Sequence, residues 1–398
     1  MPEERTYQRT HPWISFDVEL KEASPILWMI LGEAGSKCEH IAGVPLRPQT
    51  AELLHRVYMA KGVWATTAIE GNTLSEAEVL KHIQGELELP PSKEYLAKEV
   101  DNVVDACNHV WKLCAQGQPP PITVELIKEF NRRVLNGLAV EGDFVPGQIR
   151  SHVVGVGRYR GAPPEDCEYL LGKLCDWLNG PVFVPEPGRE IATAVLRAVL
   201  AHLYLAWIHP FGDGNGRTAR LVEFLILVWA GVPSPTGHLL SNHYNDTRAE
   251  YYRQLDRASR ANDVLSFIRY AVTGFVEQLR AQLRVIREQQ YEVAWTNYVY
   301  ERFHDHDADA DRRRRRLVLD LSATDGPVPV GEITKVSTKV AHYYASLTTK
   351  TLLRDLRELQ RMDLVMFDRK LNTYRAKKEL IMAFLPFTFR PDREPLSS

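Results

Sequence analysis

The sequence predicts a mainly α-helical protein with a small α+β domain near its C-terminus, and three patterns carry this prediction. Apolar residues recur at helical spacing from Ile191 to Ile208 and again from Leu221 to Val228. Other amphipathic segments of the same period, such as Tyr95 to Cys114, alternate with short breaks that contain proline or glycine. After residue 317 the pattern changes, because helical segments are followed by two short runs typical of strands.

The composition is that of an ordinary globular protein. The chain has 398 residues, enough for two or three domains, and its 44% apolar and 25% charged residues are typical of a folded, soluble chain. The net charge of −2 gives no global reason to expect binding to nucleic acid or to a membrane. Arg197 and Glu223 interrupt the most apolar segments, so we expect no membrane span. Five cysteines without a C-x-x-C pair predict free thiols in a reducing cytoplasm.

The N-terminal part predicts helices after an irregular beginning. Prolines up to residue 45 predict an irregular segment that forms either an extended arm or an adaptor to the core, and a helical pattern begins at Pro48. That helix is expected to end near Gly71, a residue suited to the left-handed conformation of a helix cap. Glu70 then lies at the C-terminal end, where the helix dipole disfavours a negative charge. We therefore expect Glu70 to have a cationic partner elsewhere in the fold.

Helices and one hairpin are predicted in the middle of the chain. The hairpin is expected over Pro146–Gly157, where the period shortens towards two and β-branched residues appear. A helix with Thr73 as its cap is expected to extend to Ile83. The other predicted helices cover residues 95–114, 124–135, 165–178 and 264–297, and one more includes Tyr251 and Tyr252.

The most informative stretch runs from His209 to Arg220 and joins the two apolar helices. Gly214 and Gly216 permit a tight turn and leave room for a ligand. They precede the second helix, whose free N–H groups and dipole favour an anion. Arg217 is three residues before Arg220 and shares a helix face with it, so two guanidinium groups can hold one polyphosphate.

Two other residues of this stretch suggest chemistry at the phosphate. Asp213 is a hard oxygen ligand of the kind that Mg²⁺ accepts beside phosphates. A histidine ordinarily has a pKa near neutrality, so His209 is the candidate general base. Each residue alone is more often a cap, a turn or a solvated side chain, but chance does not explain their joint occurrence in this order. The stretch therefore predicts a nucleotide and Mg²⁺ site in which His209 activates a nucleophile.

The stretch also resembles the signature of the Fic family, H-x-F-x-[D/E]-G-N-G-R-x-x-R, and matches it at every defined position. The resemblance implies a helical Fic core that transfers AMP from ATP to a protein hydroxyl. It implies that His209 is catalytic and deprotonates a Ser, Thr or Tyr, and that Asp213 holds Mg²⁺. The ATP-binding residues that it implies are Gly214, Asn215, Gly216, Arg217 and Arg220, with Tyr251 and Tyr252 near the adenine.

Two other segments resemble an inhibitory and a docking part of this family. Thr66, Glu70 and Gly71 match its inhibitory motif, [S/T]-x-x-x-E-[G/N], in which the glutamate pairs with the second arginine, here Arg220. The predicted hairpin resembles the flap that docks a target protein by adding to its main chain. The docking residues implied by the resemblance are Arg150, Ser151, His152, Val153 and Val154.

Four regions are expected along the chain. They are an N-terminal helical region over 1–120, a Fic core over 121–280, a connector helix with a charged linker over 281–316, and a winged helix-turn-helix domain over 317–390. The last resembles a module at the C-terminus of many Fic proteins. Its expected recognition helix carries four basic and two acidic residues, namely Lys350, Arg354, Arg357, Arg361, Asp355 and Glu358. This mixed charge leaves DNA binding, docking of a protein partner and a packing role as alternatives.

The sequence thus predicts a cytoplasmic protein adenylyltransferase that uses ATP and Mg²⁺ and is inhibited by a Glu70–Arg220 pair. Its expected partners are a protein substrate and itself, and family members often form homodimers. One alternative is a Fic enzyme that transfers another group, such as UMP, or removes AMP. The other is a nucleotide-sensing DNA-binding regulator, which the presence of His209 disfavours because sensing needs no base.

Overall fold

The computed structural model describes residues 4–117, 121–139, 142, 144–156, 159–306 and 308–382. The chain is 68% helical and carries small antiparallel sheets, which confirms the mainly α-helical fold class. It divides into a first unit, Met1–Leu283, and a second unit, Arg284–Ser398.

The first unit is built from helices around one apolar core. In chain order they are α1 (Thr6–Thr10), α2 (Pro25–Gly43), α3 (Pro48–Ile69), α4 (Glu76–Ile83), α5 (Glu94–Ala115), α6 (Val124–Val134), α7 (Pro164–Leu178), α8 (Glu190–Ile208), α9 (Asn215–Trp229), α10 (Ser234–Gly237), α11 (Leu239–Asp246) and α12 (Arg248–Arg260). Helix α13 (Val264–Arg302) begins in this unit and continues into the second.

Two expectations about the N-terminal helices are wrong. The predicted arm contains α2, because Pro25 occupies the first helical turn, where a missing N–H costs no hydrogen bond. Helix α4 begins later than expected. Its cap is Ser75, whose side chain accepts from Glu78 N, while the Glu78 carboxylate accepts from Ser75 N in return.

Helices α8 and α9 lie at the centre of the first unit and hold the loop between them. Their side chains include Val199, Leu203, Leu221 and Leu225, all of which are buried. Helix α8 is long and apolar enough to cross a membrane, but 72% of its most apolar window is buried inside the protein. That burial is what a core helix of a globular protein shows.

The predicted hairpin is shorter and begins later than expected. Strand β1 (Gly155–Val156) pairs antiparallel with β2 (Tyr159–Arg160), and Gly155 lies opposite Arg160. Residues 146–154 form turns and irregular chain instead of a strand. Gly157 lies outside the described residues. Alternating β-branched residues predicted a strand here, but the backbone of Arg150 bonds to Pro210 O in the loop after α8 instead of to a strand.

The second unit combines helices with a three-stranded antiparallel sheet. Its helices are α14 (Asp309–Ser322), α15 (Thr338–Tyr344), α16 (Thr349–Arg361) and α17 (Glu379–Met382), and its strands are β3 (Val328–Pro329), β4 (Val365–Asp368) and β5 (Thr373–Ala376). The strand order is β3–β5–β4, with Val365 opposite Ala376. In chain order, α14, β3, α15 and α16 precede the hairpin that β4 and β5 form.

The arginine run at residues 312–316 is helical, so the charged linker expected there is wrong. Arg313 and Arg314 each donate through Nε to the carboxylate of Asp355 in α16, both at 2.8 Å. Tyr344 donates its hydroxyl to the same carboxylate at 3.0 Å. Asp355 is fully buried, and this cluster ties α14 to α15 and α16. Arg313 and Arg314 of the charge run therefore hold α14 against α15 and α16.

Candidate functional site

The loop between α8 and α9 has a backbone that few residues could adopt. Helix α8 ends at His209, which has a left-handed φ of 50°, and Gly214 opens α9 with a φ of 73°. The side chain of Asn215 accepts from Phe211 N and donates to Phe211 O, both at 2.9 Å. Asn215 therefore braces the loop with its side chain. The amides of the first turn of α9 are left facing the site.

Arg150 lies inside the protein and supports the loop. It donates through Nε to His209 O at 2.7 Å, and through its terminal nitrogens to His152 O at 2.6 Å and Ala162 O at 2.5 Å. Only 5% of the residue is exposed. The docking role expected for Arg150 is therefore wrong, because its side chain is used in fixing the backbone of His209.

The other residues of the expected docking segment face outwards. Ser151, His152 and Val153 are exposed, and Val154 is half-buried. The His152 ring stacks on Phe144, with ring centroids 4.9 Å apart. The segment presents an accessible surface beside the site, although it is not a strand.

His209 lies in an environment that disfavours the imidazolium ion. Burial and, to a smaller extent, the positive charge of Arg150 lower the pKa of His209 to about 4, although a backbone hydrogen bond to Ala206 and the charges of Glu70 and Asp213 act in the opposite direction. The imidazole is therefore neutral at physiological pH and able to accept a proton.

Arg220 is paired with Glu70. The helix position of Glu70 predicted a distant cationic partner, and the family resemblance implied that this partner is Arg220. Arg220 donates through Nη2 to Glu70 Oε1 at 2.5 Å and to Thr66 O at 3.0 Å. Burial opposes ionisation of Glu70, but the charge of Arg220 and its hydrogen bond outweigh this and lower the pKa of the carboxyl. A Cβ at Gly216 would overlap the Glu70 carboxylate, so a glycine is needed for this contact. Gly71 follows with a φ of 102° and turns the chain away.

Arg217 has a second carboxylate partner that the sequence did not suggest. Glu99 in α5 accepts from Arg217 Nη1 at 3.3 Å, and its other oxygen accepts from Asn72 Nδ2 at 2.8 Å. Arg217 also donates to Asp213 Oδ1 at 3.2 Å. Both arginines of the loop helix are therefore held by carboxylates from the N-terminal helices. Asn72 connects the segment after Glu70 to the Arg217 pair.

A mostly apolar cavity of about 370 Å³ opens beside His209 and Glu70. Tyr251 and Tyr252 lie in its wall together with Ile69, Gly216 and Leu255. Its size is within the range of small-molecule sites. The structure thus brings the expected base, the first turn of α9, both tyrosines and the Glu70 pair to one cavity.

Tyr251 is held by a chain of buried polar groups behind the cavity. Its hydroxyl lies 2.8 Å from His202 Nε2, and His202 Nδ1 lies 3.1 Å from Glu223 Oε2. Tyr244 donates its hydroxyl to the other Glu223 oxygen at 2.9 Å. These groups are almost fully buried, so the position of Tyr251 is fixed from behind. Tyr252 is 39% exposed at the cavity mouth.

Sequence reasoning missed several residues that shape the site. His202 and Glu223 were visible as polar residues inside two apolar helices, a pattern that indicates a buried partner. Asn131 and Glu99 gave no such sign, because both lie on amphipathic helices rich in polar residues. Asn131 donates to Asp213 O at 2.9 Å and accepts from Gly147 N at 2.8 Å, which joins the catalytic loop to the segment before Arg150.

Comparison with known families gives a match over the region that contains the loop between α8 and α9. Residues 121–227 match the model of the Fic/DOC family. The protein adenylyltransferase fic-1 of Caenorhabditis elegans is 34% identical over 209 residues, which are 52% of this chain and 38% of that protein. The protein adenylyltransferase Fic of Nematostella vectensis is 32% identical over 208 residues, which are 52% of this chain and 45% of that protein. The chain therefore spans less than half the length of these relatives.

Solved structures have the same fold. A structure of residues 134–508 of Fic-1 from C. elegans has a TM-score of 0.55 and 26% identity, covering 70% of this chain and 76% of that one. A Fic family protein from Desulfovibrio desulfuricans has a TM-score of 0.54 and covers 89% of this chain and 96% of that one. Its 19% identity shows a shared fold alone.

Proposed function

We propose, on the premise that this chain carries a Fic domain over residues 121–227, that the protein transfers AMP from ATP to a hydroxyl group of a target protein. The observation that carries the proposal is the position of His209. Its neutral imidazole lies beside a nucleotide-sized cavity that also borders the first turn of α9. The relatives described above carry the name protein adenylyltransferase, and the residues that match the family model, 121–227, include the His209–Arg220 stretch.

In the proposed reaction His209 acts as the general base. The imidazole takes the proton of the target hydroxyl, whose oxygen attacks the α-phosphorus of ATP while pyrophosphate leaves. The lowered pKa of His209 keeps it unprotonated before the reaction. Arg150 supports this step as a positioning residue, because it holds the backbone carbonyl of His209 at 2.7 Å.

The leaving pyrophosphate carries negative charge that the start of α9 is suited to accept. The backbone amides there and the helix dipole favour an anion. Arg217 and Arg220 lie three residues apart in the same helix and provide two guanidinium groups on one face. Gly216 keeps this approach free of a side chain. These groups would stabilise the charge that develops as the bond to the α-phosphate breaks.

Asp213 suits a Mg²⁺ ion that is bound mainly through phosphates and water. Its side chain is 46% exposed at the edge of the loop. Across the part of the chain that the structure describes, no group of three or more His, Cys, Asp or Glu could hold a metal alone. Asp213 would therefore be the protein ligand, and the ion would neutralise phosphate charge when bound.

Glu70 inhibits this reaction in our proposal. Its carboxylate occupies the guanidinium of Arg220 and places a negative charge where a phosphate oxygen would bind. An incoming ATP must displace Glu70 or bind with its terminal phosphate elsewhere. Movement of the end of α3 would release the inhibition.

The test is intact-mass analysis after incubation of the purified chain with ATP and Mg²⁺. We expect Glu70→Gly to gain one or more AMP groups and Glu70→Gly/His209→Ala to gain none, because losing a general base costs roughly 10²–10⁴ in rate. Glu86→Gly is the matched control, since it removes an exposed carboxylate without touching Arg220. Labelling in the double mutant would contradict the role of His209. No labelling in any variant, with ATP bound, would refute AMP transfer.

The proposal places this reaction in the cytoplasm. All five cysteines are free thiols, and four of them are buried. Burial raises the pKa of Cys38 and Cys107 to about 12, so these thiols are unreactive. Free thiols are usual in a reducing compartment.

A further inference from the structure

The second unit has an exposed surface that is rich in positive side chains and adjoins the exposed Asp368 carboxylate, which accepts from Lys370 N at 2.8 Å. We call this surface the cationic face, and it consists of Lys339 in α15, Lys350, Arg354 and Arg357 in α16, and Arg369 and Lys370 in the turn between β4 and β5. All six residues are exposed. Among the residues that the structure describes, none of the six forms an ion pair.

The acidic residues of α16 do not neutralise this face. Asp355 points inwards, is fully buried and is bound by Arg313, Arg314 and Tyr344. Glu358 accepts from Arg361 at 2.6 Å and is therefore already paired. In the sequence, acidic and basic residues are mixed along this helix. In the structure, the acidic residues are buried or paired, and the basic residues of the cationic face are exposed.

The conspicuous arginine run is not part of such a surface. Arg313 and Arg314 bind Asp355, and Arg316 pairs with Asp320 at 2.6 Å. Arg315 lies over the ring of Tyr300, with its guanidinium carbon 4.7 Å from the centroid. Besides Arg284 and Arg287 on α13, exposed cations of the second unit lie on α15, on α16 and in the hairpin turn.

We propose that the cationic face binds duplex DNA. Lys350, Arg354 and Arg357 follow at intervals of four and three residues, so they share one face of α16, opposite to buried Leu352, Leu356 and Leu359. A four-residue turn, 345–348, separates α16 from α15. This is helix-turn-helix geometry, in which the second helix enters the major groove and flanking cations contact phosphates.

The chemistry of the face favours DNA over a protein partner. Protein interfaces are depleted in lysine at their centres, whereas protein–DNA interfaces are strongly positive. The hairpin turn adds Arg369 and Lys370 beside the helices, where a wing can contact the sugar–phosphate backbone. The net charge of −2 for the whole chain obscures this local excess. The inference is independent of the proposed transfer reaction.

The experiment measures binding of the full chain to a fluorescein-labelled 30-base-pair duplex of mixed sequence by fluorescence anisotropy, at several salt concentrations. We expect Lys350→Gln/Arg354→Gln/Arg357→Gln to weaken binding at least about tenfold at low salt. It should also lower the slope of log K against log salt by about three, since each lost phosphate contact removes about one unit. The matched control is Lys21→Gln/Arg47→Gln/Lys112→Gln, which removes three exposed cations from the first unit.

The outcomes are distinct. Loss of binding in the α16 variant and retention in the control would support the proposal. Equal weakening in both variants would overturn it, because net charge alone would then explain the binding. Absence of duplex binding by the wild type at low salt would also overturn it and leave a protein ligand for this face. Hydrogen exchange in α14, unchanged in the α16 variant, would show that the second unit is still folded.

Discussion

Arginine–carboxylate ion pairs occur in both units of the protein, and they differ in whether a ligand can reach and replace the carboxylate. In the first unit, Arg220 binds Glu70, whose side chain is 29% exposed at the end of α3. In the second unit, Arg313 and Arg314 bind Asp355, whose side chain is fully buried. The same ion pair can therefore occupy a ligand site in one region and hold helices together in the other.

The difference lies in what surrounds the carboxylate. Glu70 borders a cavity that can admit another anion, so its bond to Arg220 competes with binding. Asp355 is enclosed by two guanidinium groups and the Tyr344 hydroxyl, and removing it would take the carboxylate partner from Arg313, whose side chain is only 13% exposed. An arginine beside a carboxylate is thus informative only once the access to the pair is known.

Among substitutions at these ion pairs, the removal of Asp355 should have the largest effect, and that effect is on the stability of the second unit. Asp355→Ala removes the carboxylate bound to Arg313 and leaves Arg314 with its pair to Asp311, and we expect the second unit to lose about 3 kcal/mol of free energy of unfolding. Hydrogen exchange of peptides from residues 309–361 in the full chain measures this loss. The control is Glu332→Ala, which breaks an exposed pair with Lys335 and should cost less than about 0.5 kcal/mol. Similar protection in both variants would show that the buried cluster is not structural.

Removing the carboxylates of the first unit should instead strengthen ATP binding. In a His209→Ala background, which prevents turnover, we expect Glu70→Gly to lower the Kd for ATP roughly tenfold or more, as Arg220 becomes available for a charge-assisted bond. Glu99→Gln should lower it by a smaller factor, roughly threefold, because its 3.3 Å contact with Arg217 is longer. Isothermal titration calorimetry measures both. Weaker binding in Glu99→Gln would mean that Glu99 orients Arg217 for the ligand.

The smallest effect should be on the titration of His209. Its imidazole resonance, assigned with His209→Gln, should keep the shift of the neutral form down to pH 5.5, because burial lowers the pKa to about 4. The negative charge of Glu70 raises this pKa, so Glu70→Gln should lower it further. A midpoint near 6.5 would show that the loop opens and hydrates the ring. Because His209 is neutral in the folded state, its protonation should destabilise the fold as pH falls from about 6.5 towards 4.

Local pattern was sufficient for much of the fold and for part of the site. Helix α16 contains all six charged residues of the expected recognition helix, and the apolar period on either side of the His209–Arg220 stretch placed that stretch between two core helices. Glu70 was expected to have a distant cation because of its place at a helix end, and the structure pairs it with Arg220. The hairpin was misplaced because β-branched residues at 153 and 154 indicate a strand equally well in a loop that is bonded elsewhere.

By itself the sequence determined which residues share a helix face, where the glycine-rich turn occurs and which residue types occur within the twelve residues from His209 to Arg220. These features depend on spacing along the chain. Only the tertiary structure decided that Arg150 supports His209, that Glu99 binds Arg217 and that Asp355 faces inwards and leaves a cationic face on α16. Such contacts join residues 41 to 118 positions apart, and a helical period does not reveal which neighbour covers each face.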